Sequence, residues 1–405
     1  MMRKFNANSI LFVFAMAIIF SGIFGKCIIR VAADTVHIIS AMACFDVERV
    51  ELAKNSIDNA SSELLSYHDT MMDIDSIRNN VLGTRVVYKD DTTVIKSETD
   101  SLIEVRLKKD DEEIGETVSR VKELEDIAEE NGAHFLYCAV PTKSMFTTAP
   151  GNITDFSAEN YKQFISSLND ANVPVLDFYS MMSNSNNNVI DTDYYYRTDH
   201  HWKVECGFQA AGILCEELSN RYGFSYNKLY TDIKNYNITT FYDWFLGSYG
   251  KKVGTFFTWY GADDFSLVTP NFSTNLVVED PLNNQKQEGS FEETLLCLED
   301  IEKRDYYGKN PYGAYSGGDY RLQIVKNNLN PEGKKIIIIR DSFACVVTPF
   351  LSLQTKELHI CDMRDFIPGE KMNMADYICE QKPDYVIVFF SGVNGIEKGG
   401  RYDFF

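Results

Sequence analysis

The residues able to do chemistry crowd into one short stretch, Tyr194-Tyr195-Tyr196-Arg197-Thr198-Asp199-His200-His201-Trp202, which holds two of the chain's six histidines beside a carboxylate. Asp199 and His201 stand two apart, and in extended or turn backbone residues i and i+2 project to the same side. The carboxylate can then orient the imidazole through one ring nitrogen and leave the other free to take a proton. That is a base with its orienter, and such a pair serves a nucleophile. The chain offers one at Ser342, where an isoleucine run leads into Arg340-Asp341-Ser342-Phe343. A serine at a strand-to-helix turn meets the N–H groups and dipole of the helix, which favour a developing oxyanion. Ser and Asp are also common helix caps, so the dipeptide reads as a cap or as a nucleophile. Asn394, in Ser391-Gly392-Val393-Asn394-Gly395, is either an amide donor to the same oxyanion or a turn residue.

His200 is adjacent to His201 and in extended backbone points the other way. The base therefore falls on His201, and His200 is left with a structural or substrate-facing role. A metal set of Asp199, His200 and His201 with Asp191 or Asp193 uses the right residue types. Adjacent histidines rarely converge on one ion, however, and the chain has no His-Glu-x-x-His spacing. Neither a metal nor a cofactor is expected.

These residues need elements to position them. Apolar strand-like runs at His134 to Val140, Val173 to Phe178, Lys335 to Ile339, Glu357 to Cys361 and Tyr385 to Phe390 alternate with helical patterns at 157–170, Val204 to about Arg221, after Ser342, and Lys371 to Glu380. Short apolar strands between helices predict a parallel sheet covered on both faces, an α/β doubly wound (flavodoxin-like) architecture. The candidate residues fall at strand ends, where open sheets bind ligands. Upstream, Asp110-Asp111 can cap a helix with Ile114, Val118, Val121, Leu124 and Ala128 on one face, ended by Asn131-Gly132. Lys89-Asp90-Asp91-Thr92 reads as the turn of a β-hairpin. Residues 224–330 lack helical period and read as a β-rich insertion. The organisation expected is 1–30 as signal anchor or signal peptide, 31–110 as stalk and hairpin, and 111–405 as the α/β domain.

Composition bounds the partners. The net charge is −20 without a basic patch beyond the extreme N-terminus, which excludes nucleic acid. The nine cysteines show no Cys-x-x-Cys and read as small buried hydrophobes. Ser9 to Gly25 is uncharged and apolar, close to the minimum for a membrane span. An anchor is favoured over a cleaved signal, which puts the bulk of the chain outside the cytoplasm on a single-pass stem.

Asp199-His200-His201-Trp202 resembles the signature of the DHHW family, SGNH-hydrolase-like proteins related to the alginate O-acetyltransferases. Pro141-Thr142-Lys143, Tyr196-Arg197-Thr198, Leu246-Gly247-Ser248-Tyr249-Gly250, Asp341-Ser342-Phe343 and Asp362-Met363-Arg364 look similar to that family in the same order. The resemblance implies Ser342 as nucleophile, His201 as base and Asp199 as orienter. It also implies substrate or oxyanion roles for Asn394, Arg364, Arg197 and Tyr196. The activity implied is an O-acetyltransferase or acetylesterase acting on a polysaccharide, with a membrane-bound O-acyltransferase as acyl donor. Arg340 and Gly395 depart from the superfamily's Gly-Asp-Ser and Gly-x-Asn-Asp blocks. They motivate an alternative: a non-catalytic polysaccharide-binding or assembly scaffold on a degenerate SGNH fold.

Overall fold

The computed structural model describes residues 67–183, 194–316, 318, 321–364, 373–391 and 401–405. The apolar N-terminal run, Asp191, Asp193 and Asn394 lie outside them. The chain divides at Asp75 into two units. Of the first, only 67–75 are described, within helix α1 (His68–Val81).

In the second unit, Ser76–Phe405, the expected hairpin follows the end of α1. Strands β1 (Val86–Lys89) and β2 (Thr92–Lys96) pair antiparallel, with Lys89 opposite Thr92. The turn between them is made by Asp90 (φ 49°) and Asp91 (φ 56°), two left-handed residues that match the twist of a tight hairpin. Strand β3 (Leu102–Ile103) adds to β2. Helix α2 (Asp111–Glu130) starts where Asp110 accepts from the Glu113 N–H, and it buries Ile114, Val118, Val121, Leu124 and Ala128.

The sheet that carries the site is built from β4 (His134–Val140), β5 (Val175–Asp177), β8 (Leu276–Asp280), β9 (Gln285–Gly289), β10 (Leu322–Asn327), β11 (Lys335–Arg340), β12 (Glu357–Asp362) and β13 (Tyr385–Ser391). Its order is β5-β4-β13-β11-β12-β10-β8-β9. The first five are parallel. Successive residues on these strands enter opposite cores. Leu136, Cys138, Ile336 and Ile338 join α5 (Val204–Tyr222) on one face. Phe135, Tyr137, Ile337 and Ile339 join α2, α3 (Ser157–Asp170) and α9 (Met374–Gln381) on the other. That is why the middles of these strands are largely apolar: both faces are covered.

Two expectations change. The sheet is mixed, because β8, β9 and β10 extend it antiparallel. The β-rich stretch 224–330 thus lends three of its strands, β8, β9 and β10, to the edge of the main sheet. Within it, β6 (Tyr236–Phe245) and β7 (Asp263–Pro270) form their own ribbon. Second, the segment after Ser342 is a 3-10 turn, Ser342–Val346, followed by the short α8 (Thr348–Ser352) with a proline in its first turn. Val346 and Val347 are β-branched and fully buried, and they favour packing over a continued helix. Short helices α4 (Phe178–Ser183), α6 (Ser248–Val253) and α7 (Phe291–Leu295) complete the described α-helices.

Candidate active site

The 194–203 stretch folds as a tight loop. Tyr195 bridges Trp202 antiparallel. Tyr196 N–H donates to the His201 carbonyl at 3.1 Å, and Lys203 N–H donates to that of Tyr194 at 2.7 Å. Asp199 lies in the bend, and its Oδ1 accepts from the His201 backbone N–H at 2.9 Å, as aspartate does in turns. The same Oδ1 lies 2.6 Å from His201 Nδ1. On the far side of the ring, His201 Nε2 is 2.7 Å from Ser342 Oγ. Trp202 fastens the loop to the serine turn through its indole N–H, which donates to the Phe343 carbonyl at 2.9 Å.

The carboxylate is held charged. Burial alone pushes the Asp199 pKa up, but His200, His201 and the Ser248 N–H more than offset this and hold it well below the carboxylate range. Three residues with no assigned role fix the loop from below. Lys143 is buried, and its ammonium donates to the carbonyls of Tyr196, Arg197 and Asp199. Asp263 accepts from the N–H groups of Arg197 and Thr198 and from the Thr198 hydroxyl, at 2.6, 2.8 and 2.6 Å. Gly247 passes so close that a Cβ there would stand 2.2 Å from Asp199 Cβ. Lys143 and Gly247 fall in stretches whose family resemblance was visible. No signal in the sequence points to Asp263.

On the serine side, Asp341 is fully buried. It accepts from Phe343 N–H at 3.0 Å, from Ser391 N–H at 2.8 Å and from Arg401 at 2.7 Å. The turn joining β11 to Ser342 is thereby tied to the end of β13. No acceptor among the described residues pairs with the backbone N–H of Ser342.

Ser342 opens onto two compartments at the carboxyl ends of the strands, of about 660 and 520 Å³. Arg364 lines both, with its guanidinium held by Asp362. Two expected substrate residues are elsewhere. The Tyr196 ring is buried against Phe245 and Tyr312. Arg197 turns outward, donates to the Thr99 carbonyl and lies 4.1 Å over the Tyr260 ring. His200 is a correction too. Because the backbone bends, its ring lies beside that of His201, with centroids 3.8 Å apart, and does not point away. The ligand atoms of Asp199, His200 and His201 lie within 4.8 Å of one another. Both nitrogens of His201, however, and Nδ1 of His200 already have hydrogen-bond partners.

Residues 101–232 match the family described as SGNH hydrolase-like domain, acetyltransferase AlgX. The fold is SGNH hydrolase-like. PatB1 of Bacillus cereus, solved with a sulfonyl adduct, superimposes at a TM-score of 0.63 and 18% identity, covering 79% of this chain and 99% of that one. A DHHW family protein from Eubacterium siraeum gives a TM-score of 0.57 at 18% identity, covering 78% and 96%. A search of curated proteins found no match. The likeness in fold thus extends well beyond the Asp199 to Trp202 stretch, over 78–79% of this chain.

Proposed function

We propose that the chain is a serine-dependent O-acetyltransferase or acetylesterase acting on a polysaccharide. The observation that carries this reading is the 2.7 Å approach of His201 Nε2 to Ser342 Oγ, with Asp199 on the other ring nitrogen. Ser342 Oγ attacks the acetyl carbonyl of a donor as His201 takes its proton, and Asp199 steadies the imidazolium. The backbone N–H of Ser342 donates to the oxyanion, where Asn394 supplies a second donor. This role falls to local N–H groups, because a five-residue 3-10 turn has little of the dipole of a long helix. The leaving group departs with the proton of His201. A sugar hydroxyl, or water, then gives its proton to His201 and releases the acetyl group from Ser342.

The similarity to an acetyltransferase domain supports acetyl as the group carried. In this reading Arg364 contacts the substrate at the junction of the two compartments. The domain works outside the cytoplasm behind the apolar segment before residue 26, and a membrane-bound O-acyltransferase supplies the acyl group. The test is incubation with p-nitrophenyl acetate or a sulfonyl fluoride, read by intact mass. One acetyl or sulfonyl adduct should appear on wild type and none on Ser342→Ala. A folded wild type that never labels sinks the proposal in favour of the scaffold.

A further inference from the structure

Beside the Asp199, His201 and Ser342 line stand a second imidazole and a second serine that the mechanism leaves idle. His200 Nδ1 is 2.9 Å from Ser248 Oγ and 3.5 Å from Asp199 Oδ1. One end of the ring is thus fixed. Nε2, at the other end, has no hydrogen-bond partner among the described residues. His200 and Ser248 line both compartments together with Ser342. The side chain keeps 35% of its surface exposed, so a ligand can reach it. Partial burial, and then the neighbouring His201, push its pKa below the usual histidine value. Lowered from an ordinary value already below 7, it leaves the ring neutral near pH 7, offering a hydrogen bond and not a charge.

We propose that His200, held by Ser248, binds the hydroxyl next to the one that attacks the acyl-enzyme, so that the preferred acceptor is a vicinal diol. The inference rests on Ser342 being the acylated residue. In the transfer step one hydroxyl adds to the carbonyl carbon of acyl-Ser342, and its proton passes to His201 Nε2. The bond from that carbon to Oγ then breaks, and Oγ takes the proton back. The neighbouring hydroxyl stays intact and hydrogen-bonds His200 Nε2. Two imidazoles with centroids 3.8 Å apart suit two oxygens on adjacent carbons. Water occupies only the attacking position and gains nothing from His200, so the pair also favours transfer over hydrolysis.

The test uses the full chain, p-nitrophenyl acetate as donor, and 1,2-propanediol or 1,3-propanediol as acceptor. These isomers differ in whether the hydroxyls are adjacent. Acetylated diol is counted by mass spectrometry and divided by the uncatalysed yield of each isomer. Wild type should favour the 1,2-isomer about fivefold, which is what one neutral hydrogen bond supplies. His200→Phe should erase the preference, and His200→Gln should restore part of it through its amide. Ser248→Ala should weaken it and Ser248→Thr should keep it. Equal use of the isomers by wild type, or a preference that survives His200→Phe, overturns the inference. A merely structural His200 would slow both isomers alike and leave their ratio unchanged. A wild type that takes no acetyl from the ester sinks the reading of Ser342 itself, and that is seen before any diol is added.

Discussion

His201 Nε2 stands 2.7 Å from Ser342 Oγ although 141 positions separate them in the chain. The ring is held from behind by Asp199 at 2.6 Å, so its reach toward the serine is set before a substrate arrives. We expect His201→Ala to slow acetylation of Ser342 by about 10²–10⁴-fold, the usual worth of a general base. Asp199→Asn should cost up to about 10⁴-fold, because an amide facing Nδ1 favours the wrong tautomer. Burst kinetics with p-nitrophenyl acetate measure both. A burst of wild-type rate in either variant would contradict the assignment.

Gly247 has no room for a side chain, since its Cβ would meet the backbone of Asp199 as well as its side chain. Gly247→Ala should cost about 1–3 kcal/mol by overpacking. It should also slow acetylation more than the stability loss explains, because the strain falls on the carboxylate that orients His201. Urea unfolding and the burst rate, measured on the same sample, separate the two effects.

Lys143 makes stability depend on pH. Burial pushes its pKa from 10.5 to about 7, against the pull of Asp263 and Asp199. Between those values the unfolded chain holds a proton that the folded state has released, so stability rises with pH. The wild-type urea midpoint should therefore climb from pH 7 to pH 9 relative to Lys143→Met. At pH 7 that variant should lose about 1–3 kcal/mol, because it leaves carbonyls of the 196–199 loop unsatisfied. Parallel pH curves for the two proteins would refute the point.

Trp202 is wholly buried, and its indole N–H is a second direct tie, beside that of His201, between the histidine loop and the serine turn. Trp202→Phe keeps a ring but drops the donor and opens a gap. We expect a loss of about 2–4 kcal/mol from the vacated volume and the lost bond. The acetylation rate should fall as Ser342 drifts from His201. A variant with reduced stability and an unchanged burst rate would mean that other contacts hold the serine.

Much of this was readable along the chain because it is local. A cap at Asp110-Asp111 needs only the first turn that follows, where Asp110 accepts from Glu113, and the Asp90-Asp91 turn needs only its own backbone. Asp199 beside His201 needs only a bend, and the bend also put His200 on the same side, against the extended-strand argument. The apolar runs announced strands buried on both faces. Their neighbours were another matter: β8, β9 and β10 joined the sheet antiparallel because backbone pairing at an edge has no signature in a single strand. Tyr196 went to the core and Arg197 to the surface for a similar reason. Both are amphipathic, and only the packing around them decides which end of the side chain matters. The residue types for acyl transfer were written in the chain. Which buried lysine, aspartate and glycine hold the histidine loop was settled by tertiary packing: Lys143 follows the parallel strand β4, whereas Asp263 and Gly247 come from the antiparallel β6–β7 ribbon and the start of α6.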